Sequence, residues 1–258
     1  MALVAVTEDG WRLPVTRYRG EGPAVLLATP EDPAANLARF LATAGFDVFS
    51  ASLRTSAGAA PPRAPAAAPH LSDVARYDVP ALVACALDAA HDAPLAWVGH
   101  GVGGTAALLA GAARDAARAI ATLGSPIATP APPSSTRTLA RLVGRWLGRV
   151  DSQSDFAADL HALGGCEQLD RGLATPIPKL FIVGQADSLA PADRTRERLE
   201  ASDARAFTLV EFGTLSGHAC TYGHLDLVRA DSAPREVFPM LASWLHATLD
   251  ARPEALAT

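Results

Sequence analysis

The chain has 258 residues, with 22 Lys plus Arg against 27 Asp plus Glu, a formal net charge of −5 and a pI near 5.8. Mild acidity argues against a nucleic-acid binder, whose affinity rests on a basic surface excess, and no apolar run approaches the ~18 residues that a membrane span requires. Fifty-five alanines, and one lysine (Lys179) against 21 arginines, reflect a compositional bias that carries no functional message. The N-terminal stretch Met1–Asp9 lacks the basic segment of a secretory leader, so a cytoplasmic protein is expected. Cys85, Cys166 and Cys220 are odd in number and far apart, which suits neither a disulfide framework nor a zinc-type pair. A single domain spanning residues 1–258 is long enough to bury its own core.

In chain order, short apolar runs alternate with longer helix-like stretches. Strands are expected at residues 13–18, 24–28, 46–51, 95–99, 119–124, 180–184 and 207–212. The middle ones are apolar throughout, as strands covered on both faces should be. Helices are expected at residues 33–44, 71–90, 105–113, 191–200 and 234–249. This alternation predicts an α/β protein with a mostly parallel, doubly wound sheet. Two segments interrupt it. Residues 56–70 are rich in Pro and Ala and read as an extended loop. Residues 126–178 read as a short cap insertion, within which Leu139, Leu142, Val143, Trp146, Leu147 and Val150 have amphipathic-helix spacing.

The most informative stretch is Leu95-Ala-Trp-Val-Gly-His-Gly-Val-Gly-Gly104, a buried strand running into an Ala- and Leu-rich helix. A strand, a G-x-S-x-G pattern and a helix make a nucleophile elbow, whose small residues permit a sharp turn. Here the pattern is Gly99-His100-Gly101-Val102-Gly103, with Gly101 where the serine would stand. Downstream, Gly184-Gln-Ala-Asp187 follows an apolar strand, and Tyr222-Gly-His224-Leu-Asp precedes the terminal helix. With these three motifs in this order, the chain resembles the α/β-hydrolase-fold family of the lipase and esterase type over most of its length.

That resemblance implies an α/β-hydrolase fold, with Asp187 and His224 as the acid and base of a triad. In such a triad the His takes the proton of the hydroxyl nucleophile, and the Asp fixes its tautomer and stabilises the imidazolium. The sequence departs from the family in two places. Gly101 supplies a hydrogen instead of a nucleophile. Thr29-Pro30-Glu31 stands where a His-Gly pair usually helps to form the oxyanion hole, and Pro30 has no N–H to offer. An inward-pointing Glu31 would oppose developing negative charge. Glycine at the elbow has a logic of its own, because a positive-φ turn costs a residue with a Cβ about 1–3 kcal/mol.

The pocket is expected to involve Thr29, Glu31, His100 and Val102 around the vacant position at Gly101. Other residues have plainer readings. His100 suits a structural or solvent-facing role, and Asp226 a capping or ion-pair role. Ser125 follows the next strand, at a position that carries structure. A relocated Cys220 nucleophile, or a metal held by His100, His218 and His224, is conceivable, though no ligand-type spacing supports the metal. Arg137, Arg141, Arg145 and Arg149 recur every four residues, a stripe that would suit an acidic protein partner or anionic surface, although most such stripes are solvated faces.

The functional expectation is an α/β-hydrolase-fold enzyme without the serine, using a His–Asp dyad for lyase, cyclase or water-activating chemistry on a small hydrophobic carbonyl or acyl substrate, with no cofactor. Two rival readings are a catalytically silent binding or regulatory protein and a residual ester hydrolase.

Overall fold

Eight strands form one sheet in the order β1-β2-β4-β3-β5-β6-β7-β8. They are β1 Ala2–Val6, β2 Arg12–Tyr18, β3 Ala24–Ala28, β4 Asp47–Ala51, β5 Leu95–His100, β6 Ala117–Leu123, β7 Lys179–Gly184 and β8 Phe207–Phe212. The computed structural model describes residues 1–29, 34–56, 58–63, 69–91, 93–111, 116–128, 159 and 162–250. Strand β2 runs antiparallel to both β1 and β4, and every other pairing is parallel. The sheet is thus mostly parallel, as the sequence pattern predicts. The sequence pattern predicts no strand at β1. It is a sheet edge held by five residue pairs to β2, and its exposed Val4 and Val6 give the uninterrupted run no half-buried alternation to read.

The helices are α1 Ala34–Thr43, α2 Leu71–Asp73, α3 Val79–Ala90, α4 Val102–Ala110, α5 Glu167–Leu173, α6 Ala192–Ala201, α7 Asp226–Arg229 and α8 Val237–Leu249. Side chains alternate across the sheet in step with the period of two. In β3, Ala24, Leu26 and Ala28 enter a core shared with α3, α4 and α5, while Val25 and Leu27 enter one shared with α1 and α8. Trp97 and Phe181 lie on the first side, and Val98, Leu180 and Ile182 on the second. Coverage on both faces is why β3, β5 and β7 are buried along their whole length.

The segment expected to be one helix over 71–90 contains a π-helical turn, Val74–Asp78, between α2 and α3. Pro80 follows in the first turn of α3 and has no N–H to donate back along the helix, so the ladder widens and Val79 N donates to Val74 O. Helix α4 begins at Val102 rather than at residue 105, because the elbow turn itself starts the helix. Within the expected cap insertion, α5 packs on α4, with Leu169 and Leu173 in the main core. The amphipathic stretch 135–150 and the four arginines Arg137, Arg141, Arg145 and Arg149 lie outside the described residues. No helix among the described residues is long and apolar enough to cross a membrane.

Lys179 opens β7 and is buried. Its Nζ donates to the carbonyls of Thr175 at 2.6 Å, Ile177 at 2.9 Å and Arg205 at 3.2 Å. Burial pushes its pKa down to about 8, while three acceptors match the three N–H bonds of the ammonium form. Replacing it by Met removes the donor and leaves these carbonyls without it, so Lys179→Met is expected to cost about 3 kcal/mol, measured as a lower urea midpoint.

Candidate active site

The C-terminal ends of the parallel strands gather the candidate residues at one edge of the sheet. Strand β5 ends at His100, Gly101 turns the chain with φ 54° and ψ −121°, and α4 leaves at Val102. This is the positive-φ region that L side chains rarely adopt, and Gly101 enters it without a Cβ penalty. The turn is tied from behind by Gly101 N donating to Leu123 O at 2.9 Å, and closed by Gly104 N donating to Gly101 O at 3.1 Å. The helix crosses β3 closely, since a Cβ on Gly103 would run into the Ala28 carbonyl. Trp97 Nε1 donates to Gly103 O at 3.0 Å and fixes that crossing.

Asp187 lies three residues beyond the end of β7. Gln185 N donates to Phe212 O at 2.8 Å, Ala186 N to Tyr222 O at 2.9 Å and Asp187 N to Gly184 O at 3.0 Å, so this loop is pinned to β8 and to the segment entering the His224 loop. Tyr222 is buried, donates its hydroxyl to Glu236 Oε2 at 2.6 Å and lies 2.7 Å from Ser232 Oγ. Burial, with the nearby Glu236 carboxylate, pushes that phenol up to about 12. At the next turn Gly223 N donates to Asp226 Oδ2 at 2.8 Å, so Asp226 closes the loop that presents His224.

The structure brings His224 and Asp187 together, with His224 Nδ1 2.9 Å from Asp187 Oδ2. The other carboxylate oxygen accepts Leu189 N at 2.8 Å and Ala190 N at 3.0 Å. Burial alone would raise this carboxyl. The His224 interaction and the two amides outweigh burial and hold it below its ordinary value. An ionised Asp187 accepts the proton of His224 Nδ1, which selects the tautomer.

His100 is buried, not solvent-facing. Its ring lies 4.5 Å from that of His224, and its Nε2 is 3.0 Å from His224 O. A carbonyl can only accept, so His100 carries its proton on Nε2. Burial, then the neighbouring His224, lowers its pKa to about 3, so the ring is neutral.

Thr29 and Val102 are both buried, at the end of β3 and at the start of α4. The Val102 amide is among the first N–H groups of that helix, which have no partner within it. Glu31 lies outside the described residues. Ser125 is buried, and its Oγ donates to Gly99 O at 3.4 Å behind the turn. Cys220 Sγ lies 3.5 Å from Ser232 Oγ, in the network that anchors Tyr222. His218 Nδ1 lies 3.1 Å from Gly213 O, and its ring is 4.3 Å from that of Phe212. Among the described residues no group of three His, Cys, Asp or Glu side chains could hold a metal ion, and all three cysteines are free.

Three contributors escaped the sequence reading. The amides of Leu189 and Ala190 act through backbone, which no side-chain pattern reveals. Gly124, with φ +54°, lies against the Asp187–His224 pair, and its only sequence signal is a glycine directly after a strand.

Solved structures share this architecture over nearly the whole chain. That of DcsB in complex with its substrate analogue superposes with a TM-score of 0.70 at 14% identity, covering 97% of this chain and 99% of that one. A Pyrococcus furiosus esterase, Pf2001, gives 0.66 at 12% identity over 96% and 92%. A hydrolase from Pseudomonas aeruginosa PA01 gives 0.67 at 17% identity over 97% and 98%. No protein-family model and no curated protein sequence matches the chain. The fold is the α/β-hydrolase fold, and its structural neighbours include esterases, lipases and other hydrolases.

Proposed function

We propose that this chain is an α/β-hydrolase-fold enzyme that works without an acyl-enzyme. In this reading Gly101 stands at the position of the serine nucleophile, and His224, oriented by Asp187, transfers protons at a small hydrophobic substrate bearing a carbonyl or acyl group. The observation that carries the reading is the Asp187 carboxylate, 3% exposed and hydrogen-bonded to His224 Nδ1 and two backbone amides. A buried ion has a steep desolvation cost. A protein needing the elbow only as scaffold gains nothing from keeping that ion opposite an imidazole, whereas a proton-transfer site needs it for tautomer and orientation.

With Nδ1 committed to Asp187, proton exchange falls to His224 Nε2. The bond-forming partner is then a water or a group of the substrate itself. For an ester, Nε2 takes a proton from water as the water oxygen adds to the carbonyl carbon. The Val102 amide donates to the oxyanion so formed. Collapse expels the alkoxide, which takes the proton back from Nε2. The same dyad also suits removal of a C–H proton beside a carbonyl, giving an enolate that the same amide stabilises.

Restoring the hydroxyl tests the reading. Gly101→Ser is expected to cost about 1–3 kcal/mol of stability for a Cβ at positive φ, and to gain covalent labelling by a fluorophosphonate that leaves the wild type untouched. Adding His224→Ala should remove the labelling. Wild-type turnover of an activated aryl ester should be single-phase, with no acyl-enzyme burst. A folded Gly101→Ser protein that resists the reagent would mean that dyad and elbow do not form a working site.

A further inference from the structure

We infer that Gly124 is a positioning residue, whose missing side chain lets Asp187 and His224 reach hydrogen-bonding distance. The inference rests on the pair at the centre of the proposed function, but not on the reaction that the pair performs. Gly124 directly follows β6, with φ +54°, and its N donates to Ile182 O at 2.8 Å. The preceding residue, Leu123, accepts from Gly101 N at 2.9 Å. The two-residue stretch Leu123-Gly124 therefore joins the elbow to β7, the strand that leads into the Asp187 loop.

A Cβ built on Gly124 would lie 2.7 Å from Asp187 Oδ2, 3.0 Å from His224 Nδ1 and 3.3 Å from His224 Cε1. Those first two atoms are the acceptor and donor of the 2.9 Å contact that joins the pair. A methyl group there meets both ends of the bond at less than contact distance. Neither partner has an easy retreat. Oδ2 belongs to a carboxylate whose Oδ1 is held by the Leu189 and Ala190 amides, and the His224 backbone carbonyl is held by His100 Nε2. The relief left to the structure is to separate the carboxylate from the imidazole.

Positive φ and this clash are separable. Gly217 has φ +84° and nothing within 4 Å of where its Cβ would stand. Gly217→Ala therefore imposes the backbone penalty without touching the pair. The measured signal is the far-downfield proton resonance of a His Nδ1–H bonded to a buried carboxylate, identified as His224 by its absence from His224→Ala. Wild type and Gly217→Ala are expected to show it, and Gly124→Ala to lose it while still unfolding cooperatively. A Gly124→Ala protein that keeps the resonance overturns the inference.

Stability gives a second readout, valid even where Gly124→Ala folds poorly. Asp187→Ala removes the nearest clashing atom, so Gly124→Ala should lower the thermal midpoint less in that background than in wild type. An equal drop in both backgrounds, or failure to fold in both, overturns the inference. Loss of the resonance in Gly124→Ala, together with ester turnover indifferent to His224, would uphold the role of Gly124 and sink the proposed reaction.

Discussion

His224→Ala is expected to lower turnover of an activated aryl ester by about 10²- to 10⁴-fold, the range that one positioned general base supplies, with little loss of stability. Asp187→Asn should fall in the same range through a different fault, since an amide can present its N–H to Nδ1 and reverse the tautomer that the carboxylate enforces. Initial rates on purified proteins with matched melting curves make the measurement. Indifference of the rate to both substitutions would mean that turnover, if any, arises elsewhere. Asp187 also gives a signed pH effect. Its folded-state pKa is depressed below the ordinary 3.8, so the unfolded chain takes up the proton first as the medium acidifies. The stability that it contributes is complete above the unfolded value, and is lost as pH falls through the folded one. Urea midpoints of wild type and Asp187→Asn should therefore differ by a constant amount near neutrality and draw together below about pH 4.

The second large effect lies at Arg54. Three segments meet there: the turn between β1 and β2, the stretch after β4 and the π-helical turn before α3. Arg54 Nε donates to Asp78 Oδ1 at 2.8 Å, its backbone N to Asp78 Oδ2 at 2.8 Å, and its two terminal nitrogens to Asp9 at 2.8 and 3.0 Å. Its guanidinium carbon is 5.2 Å from the Trp11 ring and 5.4 Å from that of Tyr77. Asp78 is fully buried, and burial raises its pKa to about 6 even against the pull of Arg54. Arg54→Met leaves that carboxylate buried without its cation, which should cost about 3–5 kcal/mol in urea denaturation. Asp78→Asn in the same chain should recover part of the loss, and an exact sum of the two single effects would show that the pair is not coupled. Because the folded pKa of Asp78 is raised, its ionisation works against the fold as pH rises from about 4 to 6. Asp78→Asn should remove that slope.

The fold was legible in the sequence where burial imposed a simple pattern. Strand β3 occurs at the expected residues 24–28, where an apolar run buried throughout ends at clear turn signals, and β8 occurs at the expected 207–212 although only its last residue is buried. Strand β1 was missed because its run Leu3-Val4-Ala5-Val6 is apolar on its exposed side as well. The break in the helix over 71–90 is a local widening of the backbone ladder just before Pro80, a change of hydrogen-bond register that side-chain periodicity does not show. Candidate side chains could be named from motifs because Gly101, Asp187 and His224 each sit in a recognisable local context. Their support could not, because it comes from backbone amides at Leu189 and Ala190 and from the space beside Gly124. Backbone donors and absent atoms have no signature in a string of letters.

Lys179 has a practical consequence for finding the substrate. A protease that cuts after lysine has a single peptide bond to cut in this chain, leaving residues 1–179 with the elbow and 180–258 with Asp187 and His224. That bond lies at the head of β7, paired on both sides, with Lys179 buried. Cleavage therefore waits for β7 to leave the sheet, and its rate follows that opening. A compound bound between Gly101 and His224 bridges the two halves and slows the cut in proportion to its occupancy. One protease and one gel band would rank candidate ligands independently of the reaction they undergo.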